Sequence, residues 1–223
     1  ADEAAAMRAQ PLSAGTAWRD FADAVREMPG PMRQFGVAML FQWYGMFCYW
    51  QYVTLSLARS LHGSDSAVAL RDATLVNGRL GGFYNFLAFL AAFALVPLIR
   101  RLGVKPVHAV SIALGGVAML ALPHMGNEAW SYLPMIGIGI AWASLMGSPY
   151  VLLANSIPAE RTGIYMGIFN MFIVVPMLIQ TVTMPLLYGT VLGSDPRNVL
   201  SLAGLMLLLA AVATLRVRTA PQP

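Results

Sequence analysis

The sequence predicts an all-α membrane protein with six transmembrane helices. Three observations lead there. Hydrophobic residues fill 58% of the 223 positions and charged residues only 11%, with a mean hydropathy of +0.64. Soluble domains carry about 25% charged residues. The apolar residues come in blocks of roughly 20, the length that crosses a hydrocarbon layer about 30 Å thick. No block shows the period of two expected of a strand, so backbone groups inside a bilayer must be satisfied within helices.

Residues 1–30 read as a cytoplasmic linker. The first 16 are rich in Ala, Gly and Ser and are expected to be disordered. The chain opens with Ala, not Met, and its start is acidic and polar rather than basic and then apolar. It therefore reads as a processed product or a fragment, with no secretory signal peptide. From Trp18 to Met28, Trp18, Phe21, Val25 and Met28 recur at helical spacing while Arg19, Asp20, Asp23, Arg26 and Glu27 face away. That pattern predicts a short amphipathic helix in the membrane interface, ended by Pro29-Gly30-Pro31.

A six-helix bundle is expected over 31–217, with a cytoplasmic tail at 218–223. The spans fall at about 34–59, 73–99, 105–123, 131–154, 159–190 and 198–216. Pro97, Pro149, Pro176 and Pro185 lie inside or near span ends and are expected to kink or stop them. Between the fourth and fifth spans, Asn155 to Arg161 forms a polar hinge. Pro158 disfavours helical geometry at Ile157, and Ser156 is placed to cap the next helix with Glu160 in its first turn. A tight helical hairpin is the result.

Charge sets the expected topology. Arg8, Arg19, Arg26, Arg33, Arg100, Arg101, Lys105, Arg161, Arg216 and Arg218 fall on one side; only Arg59, Arg71 and Arg197 fall on the other. By the positive-inside rule both termini are cytoplasmic, in a cell inner (plasma) membrane. The net charge of +4 is thus a topology signal rather than a nucleic-acid signature. The lone Cys48 lies in an apolar run and supports no disulfide framework.

Nothing in the motifs points to an enzyme. His62, His108 and His124 stand alone in or beside loops, and no HExxH, CxxC, GxSxG or GxxxxGK pattern occurs. No metal site and no cofactor are expected. The ten acidic residues lie outside the spans or at their edges, so this chain alone builds no buried carboxylate relay.

Arg79 is the one charge placed within a span. Two readings stand: it faces a water-filled path or a partner, or it snorkels to the nearby external end. Other polar residues form stripes. Asn77, Gly81, Tyr84 and Asn85 share a face of the second span, with Arg79 elsewhere; Asn170, Met177, Thr181 and Tyr188 line up on the fifth. On the first span Tyr44 and Gln51 are seven apart, and Gln42 and Tyr49 form a second pair opposite. One face is expected to border a cavity, the other to face the bundle. Amides and aromatic rings suit a sugar, the amides bonding hydroxyls and the rings stacking on C–H faces. The alternative is that they hold helices together. Gly78-x-x-x-Gly82 and Gly163-x-x-x-Gly167 are read as close-packing surfaces.

The hairpin PYVLLANSIPAERTGIYMGIFNMFIVVP (Pro149–Pro176) resembles the tenth-to-eleventh helix hairpin of sugar–proton symporters related to plant sucrose transporters. These belong to the glycoside–pentoside–hexuronide-like branch of the major facilitator superfamily. GIGIAWAS (Gly137–Ser144) and PLIRRLGVKPVHAVSIALGG (Pro97–Gly116) extend the likeness over about 28–216. The Pro97–Gly116 stretch resembles a degenerate copy of the superfamily's basic loop, keeping Arg100, Arg101, Gly103 and Lys105 without the usual acid.

The resemblance implies one half of a major-facilitator-type twelve-helix fold. This chain is then the C-terminal half and 1–30 the central cytoplasmic loop, with an N-terminal six-helix half on the same or a separate chain. Such transporters rock two halves about a midplane site. The implied function is proton symport of sucrose or a related α-glucoside, with the essential carboxylate in the other half. Candidate substrate residues are Tyr44, Gln51, Asn77, Arg79, Tyr84, Asn85, Asn170 and Thr181. Arg79 is similar to an arginine that plant members carry on the eighth helix. Met177 stands where relatives often carry Gln. Arg100, Arg101, Lys105, Glu160 and Arg161 are candidate cytoplasmic gate contacts, or simply topological charge. A drug or metabolite exporter and a non-transporting scaffold are the competing readings.

Overall fold

The computed structural model describes Arg19, residues 22–154 and residues 162–218. Its main helices are α1 (Gly30–His62), α2 (Ala67–Leu102), α3 (Val104–Ala121), α4 (Glu128–Ala154), α5 (Thr162–Thr190) and α6 (Pro196–Arg216). A 3₁₀ turn, Leu122–His124, follows α3. The described residues contain no strand.

Local chemistry explains the ends. Pro31 sits in the first turn of α1, where a missing N–H leaves no bond unmade. Gly63, at φ 62°, takes the left-handed geometry that closes α1 and donates its N–H to the Arg59 carbonyl at 3.0 Å. Ser66 Oγ accepts from the Ala69 N–H at 3.3 Å to cap α2. The Asp195 carboxylate does the same for α6, accepting from the Arg197 N–H at 2.9 Å. The internal prolines do not stop their helices: Pro97 lies within α2, Pro134 and Pro149 within α4, and Pro176 and Pro185 within α5. The hinge Asn155–Arg161 lies outside the described residues, as do Trp18 and Phe21 of the expected amphipathic helix. Residues 22–26 of that helix are helical, and its Ala24 (1% exposed), rather than Val25 (42%), is the side chain buried against the bundle.

Five helices are long and apolar enough to cross a membrane: Ala67–Leu102, Val104–His124, Glu128–Leu152, Gly163–Thr190 and Pro196–Arg216. These make the chain a multi-pass membrane protein. The first expected span is the exception. At 33 residues α1 is about 50 Å long, ample for a crossing. What it lacks is apolarity, because it carries Arg33, three glutamines and a row of Trp and Tyr. Those groups are tolerated because α1 has neighbours on several sides: α6 packs along it most extensively, and α5 and α2 also pack against it. Helix α3 packs against α4 and α6, and α4 against α2.

Between rods in lipid, close van der Waals fit takes over from water exclusion as the main attraction. Here that fit comes from glycines at the centre. A Cβ on Gly116 of α3 would lie 2.8 Å from the Gly204 carbonyl of α6, and one on Gly204 would lie 2.6 Å from the Gly116 carbonyl. Gly45 meets Ala203, Gly137 meets Leu114 and Gly139 meets Tyr84 in the same way. The expected close-packing pairs are a different matter: a Cβ at Gly78, Gly82, Gly163 or Gly167 would meet nothing within 4 Å. Helices α2 and α5 are the outlying rods and turn these glycines away from the bundle. Both also expose apolar rows, with Phe86, Phe89 and Phe93 on α2 and Leu178, Val182 and Leu186 on α5.

Candidate functional site

The two polar faces of α1 part company in the structure. Gln42 and Tyr49 are buried among the helices. Tyr44 and Gln51 turn toward α5, where they meet hydroxyl and amide groups along a polar seam. Thr183 Oγ1 donates to the Ile179 carbonyl at 2.7 Å, so at the 2.9 Å contact between Tyr44 and Thr183 the phenol donates. Gln180 Nε2 donates to Gln51 Oε1 at 3.0 Å, while Gln180 Oε1 has no hydrogen-bond partner among the described residues. Further along, the Tyr52 and Tyr188 rings stand 5.4 Å apart, and the Tyr188 hydroxyl donates to the Ser194 carbonyl at 2.9 Å. Gln51 is exposed and Tyr44 half-buried, so the seam opens on the outside of the six-helix bundle. Its paired groups are all neutral donors and acceptors.

A cluster of rings lies across α1 and α4. Phe47 and Trp50 are 5.5 Å apart edge to face, and Trp50 meets Trp142 at 5.4 Å in the same geometry. Trp43 closes the group at 6.2 Å from Trp50. Trp50 and Trp142 sit near the middle of their helices and remain half-buried.

The other candidates are dispersed. Asn77 Nδ2 donates to Thr54 Oγ1 of α1 at 3.1 Å and ties two helices together. Asn85 is exposed and folds back on the Gly81 carbonyl at 2.8 Å; Thr181 does likewise on Met177 at 2.9 Å. Tyr84 is half-buried, and Asn170 is exposed on α5. Among the described residues no hydrogen bond joins any two of the eight candidates to each other.

Arg79 sits at the end of the bundle rather than at its middle. Helix α2 begins at Ala67, earlier than the hydropathy predicts, and the guanidinium of Arg79 grips Glu128, the first residue of α4. Its Nε and an Nη donate to the two carboxylate oxygens at 2.7 and 2.8 Å. The pair borders a cleft of about 370 Å³ that His62, Asp72 and Asn127 also line. Of the gate candidates, Arg100 and Arg101 are exposed at the end of α2. Lys105 is occupied structurally, its Nζ donating to the Val217 carbonyl at 3.0 Å where α6 ends. Glu160 and Arg161 lie outside the described residues.

His108 departs furthest from expectation. It lies inside α3, not beside a loop, and is wholly buried. Its Nε2 is 3.1 Å from Gln42 Oε1, its Nδ1 2.9 Å from Ser144 Oγ, and Ser144 is 3.0 Å from Ser148. Three helices are joined through one ring.

Comparison with protein families, curated proteins and solved structures finds no match. The site therefore has to be read from its own chemistry. Among the described residues no three His, Cys, Asp or Glu side chains group to hold a metal ion. Sequence reasoning missed Gln180, Thr183, Trp50 and Trp142. The i, i+3 spacing of Gln180 and Thr183 in a mostly apolar helix was the available signal for the first two. The Trp pair carried none, because its members lie on helices distant in sequence.

Proposed function

We propose that this chain is the C-terminal six-helix half of a facilitator-type transporter, moving sucrose or a related α-glucoside together with protons. The carrying observation is the α1–α5 seam: neutral hydroxyls and amides at the level of the bilayer, opening outward from the bundle. Exposing such groups to hydrocarbon is costly, so an aqueous path or a partner half beside them is the economical arrangement. A polyhydroxyl ligand matches neutral donors and acceptors, and the half-buried Trp50 and Trp142 offer ring faces to its C–H surface. In this reading α1 is the sixth crossing, both termini are cytoplasmic in the inner membrane, and the chain transports rather than catalyses. The exposed Arg100, with Glu160 and Arg161, meets the other half when the site faces outward. Coupling follows if ion and sugar together lower the barrier to reorientation that either alone leaves high.

The test is sugar-driven proton entry into vesicles carrying the whole transporter. Gln180→Leu and Asn170→Leu should raise the half-saturating sugar concentration while leaving insertion intact. Insertion and uptake falling in step would make these residues packing contacts. The ring cluster gives a second reading some weight, export of apolar compounds. Expulsion of hydrophobic amines with no sugar-linked proton movement would establish that reading instead.

A further inference from the structure

Helices α2 and α3 meet at the Gly103 corner and share only a thin contact, so a groove remains between them. It has a volume of about 340 Å³ and is lined almost wholly by apolar side chains. Ala91, Leu98 and Leu102 of α2 form one wall, Val110 and Leu114 of α3 the other, and Ile140 of α4 also lines it. From Ala91 to Leu102 the helix rises about 16 Å, close to half of a hydrocarbon layer about 30 Å thick. The groove thus runs the depth of one leaflet.

Its mouth carries charge. Arg101 flanks the last turn of the α2 wall, beside Leu102, and is exposed. Among the described residues neither it nor Arg100 forms an ion pair, and the nearby cation Lys105 is held by the Val217 carbonyl. A free guanidinium at the headgroup level above a leaflet-deep apolar groove matches one kind of molecule.

We infer that this groove is a binding site for a phospholipid with an anionic headgroup. One acyl chain lies between α2 and α3, and the phosphate meets Arg101. Guanidinium recognises phosphate through paired N–H donors, and a basic group at an anionic membrane surface is worth about a five-fold change in affinity. The site needs neither the sugar nor the partner half. Its failure would leave the transport reading untouched.

The experiment is native mass spectrometry of the chain in detergent, titrated with phosphatidylglycerol, phosphatidylcholine or inorganic phosphate. Phosphatidylglycerol should bind at one saturable site at least about five-fold more tightly than phosphatidylcholine, and phosphate alone should not compete. Arg101→Gln should remove that preference. Ala94→Trp, which fills the groove, should weaken both lipids, whereas Val182→Trp on the exposed face of α5 should change neither. Equal binding of the two lipids, competition by free phosphate, or indifference to Ala94→Trp would each overturn the assignment. Arg101→Gln lies on the surface and keeps the test valid if Ala94→Trp fails to fold.

Discussion

The Nε2 of His108 lies 3.1 Å from Oε1 of Gln42, and that contact sets the direction of a chain of hydrogen bonds through three helices. The Gln42 amide nitrogen faces the Met39 sulfur at 3.5 Å, which leaves its oxygen, an acceptor only, for the ring. His108 Nε2 therefore carries the hydrogen. On a neutral ring Nδ1 then accepts from Ser144, and Ser144 accepts from Ser148. Replacing His108 by Leu leaves the buried Gln42 amide oxygen without its donor and the Ser144 hydroxyl hydrogen without its acceptor. A loss of about 1–3 kcal/mol is expected. Denaturant unfolding in detergent measures it, and an unchanged midpoint would show that the network contributes nothing.

The glycines make a paired prediction. At Gly116 or Gly204 a methyl group would press on the facing helix backbone, so Gly116→Ala and Gly204→Ala should each destabilise the bundle by about 1–3 kcal/mol. Gly167→Ala, where a Cβ meets nothing, should be neutral or mildly stabilising within this chain. If Gly167→Ala disturbs assembly or transport without altering unfolding of the isolated chain, a companion surface covers that face.

Arg79 and Glu128 form a two-pronged pair between α2 and α4, both partly open to solvent. Such a pair is weakened by salt. Exchanging the charges, as Arg79→Glu with Glu128→Arg, should recover the thermal stability lost in either single variant. The single losses should shrink as ionic strength rises. Recovery of uptake in the exchanged protein would assign the arginine to the rim of the bundle. Uptake lost despite recovered stability would return it to the transport path.

Asp195 caps α6, and the Arg197 side chain above all holds its carboxyl below the ordinary value of 3.8. A carboxyl depressed in the folded state stabilises that state above its unfolded pKa. The contribution fades as pH falls through the depressed value. Unfolding measured from about pH 6 to about pH 2 should therefore show a smaller acid-induced loss in Asp195→Asn than in the unchanged chain. Identical acid profiles would mean that the cap is not coupled to folding.

Much of this fold was legible residue by residue. The apolar blocks located the rods, whereas the caps at Gly63, Ser66 and Asp195 emerged only with the structure, which starts α2 at Ala67 rather than near 73. The outward-facing polar side of α1 was narrowed to two candidate pairs by spacing alone. Choosing between Tyr44–Gln51 and Gln42–Tyr49 required knowing which helix packs on which side. The glycine stripes misled for the same reason, since a motif states that close approach is possible but not whether a neighbour arrives.

By itself the chain determined that it is helical, that it crosses a membrane repeatedly, and roughly where each rod begins and stops. Those are properties of local composition and of backbone hydrogen bonds closed within a few residues. Only the tertiary structure decided that His108 is a buried junction, that Gln180 faces Gln51, that Trp50 meets Trp142, and that Arg79 pairs with Glu128. Each of these joins residues dozens to more than a hundred positions apart. Contact at such separations depends on how rods are arranged about one another, and a helical period read along one rod carries no record of it.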